Sequence, residues 1–180
     1  MILIDFTQTI IAGLMAQLKM NDGEIHEDML RHMILNSVRN YSKRYSNEYG
    51  EIVLCTDASN PWRREFFPQY KANRKKTREA SDMDWKLIFD TLQKVKEEIR
   101  DNFPYHYLYV ERCEADDIIA VLTKHSKEPV LIVSGDKDFQ QLQKYDYVTQ
   151  WSPNLNRFVD VDDADTVSYT HLRAHETWSY

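Results

Sequence analysis

The sequence predicts an α/β fold with a mainly parallel central sheet that is flanked by helices. Two observations support this prediction. Short, strongly apolar segments recur along the chain, and segments with apolar residues at every third or fourth position lie between them. Strands that alternate with helices form parallel sheets covered on both faces. The length of 180 residues and the hydrophobic content of 42% suit a single domain with a sizeable core.

Five apolar segments are predicted to be the strands. They are MILIDF from Met1, EIVLCTD from Glu51, YHYLYV from Tyr105, PVLIVSG from Pro129 and YVTQWS from Tyr147. The first segment ends at Asp5 and the second at Asp57. Acidic residues also follow the third and fourth segments, so four strands are expected to deliver carboxylates to their carboxyl ends.

Three segments between the strands have the pattern of helices. In the first, apolar residues recur at helical spacing at Leu30, Met33, Ile34, Val38, Tyr41 and Tyr45. In the second, they recur at Trp85, Ile88, Phe89, Leu92, Val95 and Ile99. The third segment, CEADDIIAVLTKH from Cys113, is predicted to be a helix that begins with acids. No internal repeat and no linker rich in proline or glycine divides the chain.

The acids at the strand ends are candidate metal ligands. The carboxyl ends of parallel strands meet at one edge of a sheet, where sites form in folds of this class. Repulsion between the carboxylates there must be relieved by protonation or by a cation, and Mg²⁺ or Mn²⁺ prefers such oxygen ligands. Taken singly, each acid could instead cap a helix or start a turn, above all Asp117, which the helix dipole alone would favour. The candidate ligands are Asp5, Asp57, Glu114, Asp116, Asp117, Asp136 and Asp138.

A basic segment is the candidate nucleic-acid interface. The chain carries a net charge of −6, yet seven basic side chains and one acid, Glu65, lie between Arg63 and Arg78. Aromatic residues alternate with these cations, a combination suited to phosphate contact and base stacking. Alternatively, the segment could be a solvated basic helix face with core aromatics. The predicted contacts are Arg63, Arg64, Tyr70, Lys71, Arg74, Lys75 and Lys76.

Other features of the composition favour a cytoplasmic protein. The longest apolar stretch, around IIAGLMA from Ile10, is far shorter than a membrane span, and MILIDF lacks the basic start of a signal peptide. The two cysteines, Cys55 and Cys113, have no zinc-site spacing and are expected to be reduced thiols.

The candidate metal ligands and the basic segment together suggest a chemistry. Two divalent ions held by acids beside a phosphate-binding strip could hydrolyse a phosphodiester.

Several segments together resemble the flap endonuclease family of structure-specific 5′-nucleases, in its T-even bacteriophage ribonuclease H branch. They are LIDFTQ, HMILNSVRNY, VLCTD, WRREFFPQYKANR, EADDIIAVL, SGDKDFQQLQKY and QWSPNLNRFV, and the similarity spans roughly Ile2 to Val161. The resemblance implies a PIN-like (Rossmann-like) nuclease domain with a basic helical arch at about residues 60–83. The implied activity is Mg²⁺-dependent removal of 5′ RNA primers and flaps from DNA during lagging-strand replication in an infected bacterial cell.

The resemblance also assigns roles to residues. In the family, one group of acids surrounds a first metal ion, and it is matched here by Asp5, Asp57, Glu114, Asp116 and Asp117. Two further acids serve a pair of ions, and they are matched by Asp136 and Asp138. Lys71 and Arg63 match arch residues that contact the scissile phosphate, and Tyr70 would help to hold the unpaired nucleotide. The implied substrate is DNA with a 5′ flap or an RNA-primed duplex, with a single-stranded DNA-binding protein or a sliding clamp as partner. We expect a monomer that does not bind membranes.

The chain departs from the family after the fifth strand. Family members continue into a helical DNA-binding region with a GD..DN loop, whereas this sequence ends in VSYTHLRAHETWSY from Val167. We interpret residues 1–166 as the nuclease domain and residues 167–180 as an adapter-derived, non-native tail; the alternative is a genuine, unusual tail. Turnover is therefore expected to be impaired. Two other interpretations are a DNA-binding module without turnover and a compact PIN-type ribonuclease, which typically lacks the long basic segment.

Overall fold

A computed structural model describes residues 1–18, 26–72, 74, 78–81 and 83–160. Within them, six strands form one sheet in the order β3-β2-β1-β4-β5-β6. The strands are β1 (Ile2–Asp5), β2 (Ile52–Thr56), β3 (His106–Tyr109), β4 (Val130–Val133), β5 (Val148–Ser152) and β6 (Arg157–Val159). Every neighbouring pair is parallel except β5 and β6, which are antiparallel. The predicted, mainly parallel sheet is confirmed.

The helices lie between the strands as expected. They are α1 (Phe6–Leu18), α2 (Glu27–Tyr49), α3 (Arg63–Phe66), α4 (Trp85–Asn102) and α5 (Ala115–His125), and a 3-10 helix (Lys137–Lys144) connects β4 to β5. The sequence patterns predicted α2, α4 and α5 but neither α1 nor the 3-10 helix. Since α1 begins at Phe6, directly after the last residue of β1, no turn residue separates the two elements.

The central strand β1 is buried on both faces. Ile2, Leu3 and Ile4 are at most 1% exposed. On one face, Ile2 and Ile4 pack in a cluster with residues of α2 and α4, such as Val38 and Val95. On the other face, Leu3 packs in a cluster that includes residues of α5 and the 3-10 helix. Because successive side chains of a strand point to opposite faces, β1 joins both halves of the core.

The sheet order brings the acidic strand ends together. β1 lies between β2 and β4, so Asp5 at the end of β1 has neighbours from both adjacent strands. Asp57 follows β2 directly, and Asp136 comes three residues after the last residue of β4. Glu114 precedes α5, which follows β3. Parallel pairing therefore places all four chain segments at the carboxyl edge of the sheet, as the sequence predicts.

The basic segment folds as short helical pieces and turns where the structure describes it. α3 is a single turn, and consecutive turns follow, with Tyr70 N–H donating to Phe67 O at 2.9 Å and Arg74 N–H to Lys71 O at 3.1 Å. Lys71 has a positive φ of 56°, the left-handed conformation that reverses the chain direction. Lys75 and Lys76 lie outside the described residues, as does the predicted boundary at residue 166 with the tail beyond it.

None of the helices in the described residues combines the length and the apolar character that crossing a bilayer requires.

Candidate functional site

Five of the seven acids predicted to bind metal line one pocket at the carboxyl edge of the sheet. They are Asp5, Asp57, Glu114, Asp116 and Asp136, and the pocket has a volume of about 670 Å³. Asp117 and Asp138 are not among its described lining residues. We call this cavity the acid pocket. The joint placement of five carboxylates argues for a shared role, since folding alone does not require like charges to gather in one place.

Asp5 lies at the buried floor of the acid pocket. Its side chain is held by the backbone N–H of Gln8 and by the Ser134 hydroxyl, each at 3.3 Å. Burial and, next, the charge of Asp57 raise the pKa of Asp5 to about 7; Asp136 adds to the rise, and the two hydrogen bonds oppose it. Loss of hydration disfavours the charged carboxylate, and a cation in the pocket would restore it.

Glu114 is the acid most strongly engaged by the basic segment. It is 5% exposed. Lys71 Nζ donates to its Oε1 at 2.6 Å, while Arg63 Nη1 and Tyr70 Oη donate to its Oε2 at 3.0 and 2.9 Å. Tyr70 and Lys71, which are adjacent in the chain, thus both contact this carboxylate. The residues predicted to contact phosphate therefore contact a predicted metal ligand in this structure.

Asp117 is held by Arg63 of the basic segment and by the backbone at the start of α5. Arg63 donates to its two oxygens at 2.7 and 2.8 Å, and the backbone N–H of Glu114 donates to Oδ2 at 3.0 Å at the start of α5. Burial acts to raise the pKa of Asp117, but the hydrogen bonds from Arg63 and Glu114 N–H outweigh it and lower the pKa. These contacts suit the helix-capping interpretation, and a role in metal binding stays a prediction.

Asp116 differs from its neighbour in its electrostatics. Burial raises its pKa despite the opposing charge of Arg63, whose Nη1 is 3.8 Å from Oδ1. Adjacent residues of one helical turn thus have pKa values shifted in opposite directions. Asp116 faces the acid pocket, where a cation would favour its ionised form.

The turn that carries Asp136 and Asp138 is fixed by polar side chains from other elements. Asp136 Oδ1 accepts from Asp138 N–H at 3.0 Å, which closes the turn. Gln8 Oε1 accepts from Gly135 N–H at 3.1 Å, and Gln150 Nε2 donates to Asp136 O at 2.7 Å. A Cβ at position 135 would lie 2.6 Å from the Asn154 amide, so glycine permits this close approach. Neither Gln8 nor Gln150 was predicted from the sequence to be part of the site.

The basic segment supplies cations to the same pocket. Arg64, Lys71, Arg74 and Arg78 line it, whereas Arg63 lies at its border against Asp117. Nearby aromatic side chains are open to solvent: Phe66 is 80% exposed and Phe67 53% exposed. These exposures contradict the alternative in which the aromatics of the segment belong to the core. A strip with exposed rings and cations beside the acids is suited to a polyanion.

Comparison with known proteins decides the family. Residues 1–172 match the model of the 5′-3′ exonuclease N-terminal resolvase-like domain. The chain belongs to this family. It is 43% identical over 166 residues to the ribonuclease H of Enterobacteria phage T4, an alignment that covers 88% of this chain and 54% of that protein. It is 28% identical over 148 residues to the exodeoxyribonuclease of Enterobacteria phage T3, covering 79% of this chain and 45% of that protein.

Solved structures of a phage T5 nuclease share the fold. The T5 5′-exonuclease with bound divalent metal ions (zinc) matches with a TM-score of 0.67 at 20% identity, over 93% of this chain and 63% of that one. The T5 flap endonuclease in a complex with DNA and metal ions matches with a TM-score of 0.65 at 22% identity, over 92% and 62%. The predicted nuclease fold is thereby confirmed. This exonuclease-family chain spans about half the length of the curated relatives it matches.

The acids of this exonuclease-family domain fit a hard divalent cation in their chemistry. All are oxygen donors, and the pKa of Asp5 is raised first by burial and then by the charge of Asp57, so a nearby cation would favour its ionised form. Among the residues that the structure describes, however, no three acid, histidine or cysteine side chains converge on one point. The hydrogen bonds of Glu114 to Lys71 and Arg63 are one physical reason, since these cations neutralise it locally.

Lys96 is a further cation at the acid pocket that the sequence analysis missed. It lies half-buried on α4, where its Nζ donates to Thr7 Oγ1 at 3.3 Å. Burial lowers its pKa, and the charges of Asp57 and Asp5 oppose that shift. In the sequence, Lys96 lies beside the apolar positions Val95 and Ile99 of an amphipathic helix. A lysine in such a pattern is usually expected on the solvated side of the helix, so the pattern did not indicate a place at the site.

Proposed function

We propose that the chain is the catalytic domain of a Mg²⁺-dependent 5′-nuclease. It would remove RNA primers and 5′ flaps from DNA during phage lagging-strand replication, in the cytoplasm of the infected bacterium. The observation that carries this proposal is the acid pocket itself, in which five carboxylates from four strand ends adjoin Arg64, Lys71 and Arg74. The names of the phage relatives, ribonuclease H and exodeoxyribonuclease, support the same activity.

The carboxylates would divide between two ions. Asp5, Asp57, Glu114 and Asp116 would hold the first, together with Asp117 as the family resemblance implies. Asp136 and Asp138 would serve the second. When bound, Mg²⁺ would activate water and stabilise the oxygens that attack and leave the phosphorus, and Mn²⁺ would substitute because it accepts the same ligands. The T5 5′-exonuclease, which shares the fold, binds divalent metal ions (zinc), and this supports metal binding here.

The cations of the basic segment would neutralise and orient the scissile phosphate. Burial acts to lower the pKa of Lys71, but its hydrogen bonds to Glu114 and Tyr70 outweigh burial and raise it. Lys71 therefore stays protonated at neutral pH and would donate hydrogen bonds to phosphate oxygens rather than accept a proton. Arg63 would act in the same way from the border of the pocket, and exposed Phe66 offers a ring for an unpaired base.

A second candidate is a DNA-binding domain without turnover of its own. The pairing of Glu114 with Lys71 and Arg63 favours it, because an acid held by two cations is a weaker metal ligand. The chain also spans only about half of the relatives whose activity is named. In this case the domain would bind flap DNA through its basic segment but require the remainder of a full-length protein for cleavage. A single-stranded DNA-binding protein or a sliding clamp would be partners of that full-length protein.

Cleavage of a labelled 5′-flap DNA tests the proposal. Asp136→Asn removes a pocket carboxylate, while the control Asp146→Asn removes an exposed carboxylate outside the pocket. Since turnover of this chain is expected to be impaired, we expect slow Mg²⁺-dependent release of the flap by the wild type and by the control, and its loss in Asp136→Asn. Binding of the flap DNA without cleavage by any of the three proteins would support the second candidate. Equal cleavage by all three would refute the assignment of the acid pocket.

A further inference from the structure

A second groove opens from the acid pocket along helix α4. It has a volume of about 520 Å³ and is lined by Asp57, Ser59, Gln93, Lys96, Arg100, Tyr107 and Tyr109. The two cavities adjoin, because they share the lining residues Asp57, Ser59, Gln93 and Lys96. We call it the α4 groove. None of its described lining residues belongs to the basic segment between residues 63 and 78.

The groove is built from two regular rows of side chains. Gln93, Lys96 and Arg100 are three and four residues apart and share one face of α4. Tyr107 and Tyr109 are two residues apart on β3 and share one face of the strand. β3 is the edge strand of the sheet that the described residues form, so the groove lies at the border of that sheet. The tyrosine row and the cationic row therefore face each other across an open channel.

The chemistry of the groove suits an unpaired nucleic-acid strand. Lys96 lies at the end near the acids, and Arg100, with a side chain 54% exposed, lies further along. Arg100 pairs with the adjacent, equally exposed Asp101, a weak contact that a phosphate can replace. Tyr109 is 51% exposed and offers its ring for stacking. Apart from Asp57, where the groove joins the acid pocket, its described lining holds no acid.

We infer that the α4 groove binds the single-stranded part of the substrate next to the scissile phosphate. Lys96 and Arg100 contact successive phosphates, and a base stacks on Tyr109. This inference rests on the proposed function, because the acid pocket defines where the scissile phosphate lies. It adds a contact surface to the basic segment: the groove recognises the unpaired strand, DNA or RNA, and does not contribute to binding of a continuous duplex.

Binding measurements with matched probes test the groove. The probes are three labelled DNA duplexes: one with a 5′ DNA flap, one with a 5′ RNA flap and one nicked duplex without a flap. Fluorescence anisotropy is recorded in EDTA, so that no cleavage occurs. The variants are Arg100→Glu and Tyr109→Ala, and the control is Lys94→Ala, which removes a cation from the opposite face of α4, where Lys94 pairs with Glu27 on the surface. Thermal denaturation monitored by circular dichroism verifies that each variant is folded.

The expected pattern separates flap from duplex. Tyr109→Ala and Arg100→Glu each weaken binding of the flap probes by about tenfold and leave the nicked duplex unchanged, since a stacked base or a phosphate contact is lost. Lys94→Ala binds all probes as the wild type does. A loss confined to one flap identifies that strand, DNA or RNA, as the occupant of the groove.

Two results would overturn the inference in different ways. If the wild type binds the flap probes more tightly than the nicked duplex and both groove variants match it, the flap is held elsewhere and the proposed function survives. If the wild type binds none of the probes, the proposed function fails and the inference fails with it. If Arg100→Glu is unfolded, Tyr109→Ala alone decides between these outcomes.

Discussion

Replacing the buried acid Asp5 by asparagine should remove most of the pH dependence of stability between pH 5 and pH 8. Asp5 has a pKa of about 7 in the folded protein against 3.8 as an ordinary aspartate. Since the folded state disfavours the charged form, the contribution of Asp5 is fully present below about pH 4 and is lost as the pH rises to about 7. The total loss is about 4 kcal/mol, because each pH unit of difference corresponds to about 1.36 kcal/mol.

Urea denaturation in EDTA at several pH values measures this effect. Between pH 5 and pH 8 the free energy of unfolding of the wild type should fall by about 2–3 kcal/mol through Asp5 alone. In Asp5→Asn this component is absent, so the variant should become the more stable protein at pH 8 even if the amide costs some stability at pH 5. The control Asp146→Asn, which changes an exposed acid, should retain the wild-type slope.

Added Mg²⁺ should act in the opposite direction. A cation that binds the ionised pocket stabilises the folded state by mass action, so the melting temperature of the wild type should rise with Mg²⁺ at pH 8 and much less at pH 5. Asp5→Asn should lose this response. Identical pH slopes in wild type and Asp5→Asn would refute the argument, because they would show that burial and the neighbouring charges of Asp57 and Asp136 do not raise the pKa of Asp5.

Three further predictions concern the same site. Asp57→Asn should lower the affinity for Mg²⁺ measured by calorimetric titration, because ligand count and local charge both fall; an unchanged affinity would contradict its role. Arg74→Ala should reduce the dependence of DNA binding on salt by about one unit of slope, as one phosphate contact is lost, and an identical slope would mark Arg74 as a solvated side chain. In a full-length version of the protein with measurable activity, Lys71→Ala should slow single-turnover cleavage far more than it weakens DNA binding; equal losses would make Lys71 an ordinary phosphate contact.

The sequence predicted the sheet and the location of the acids because both follow from local patterns. Short apolar runs identified five strands. Because the carboxyl ends of parallel strands meet at one edge of a sheet, Asp5, Asp57 and Asp136 were expected to lie together even without knowledge of the strand order. β6 was not predicted, since its three residues, Arg157–Val159, are partly exposed and depend on pairing with β5 rather than on an apolar pattern. The left-handed conformation of Asn156, in the connection before β6, was not predicted from the sequence either.

Side-chain partners could not be predicted in the same way. That Lys71 and Arg63 contact Glu114 depends on how a loop of turns folds back over the sheet, and residue spacing does not encode this path. Gln150 illustrates the same limit: it is 1% exposed on β5 and holds the turn after β4 through two backbone carbonyls. A glutamine in an apolar strand is a visible signal, but its partner becomes clear only in three dimensions.

The pairing of Glu114 with Lys71 and Arg63 also links the two ligands of the site thermodynamically. A metal ion that takes the Glu114 carboxylate competes with these cations and leaves them available for a phosphate. A phosphate that takes the cations in turn leaves Glu114 available for the metal. Each ligand is thus expected to raise the affinity for the other by the same factor, a reciprocity that titrating DNA at increasing Mg²⁺ would measure directly. In the absence of both ligands, the internal ion pairs compensate the charges of Glu114, Lys71 and Arg63.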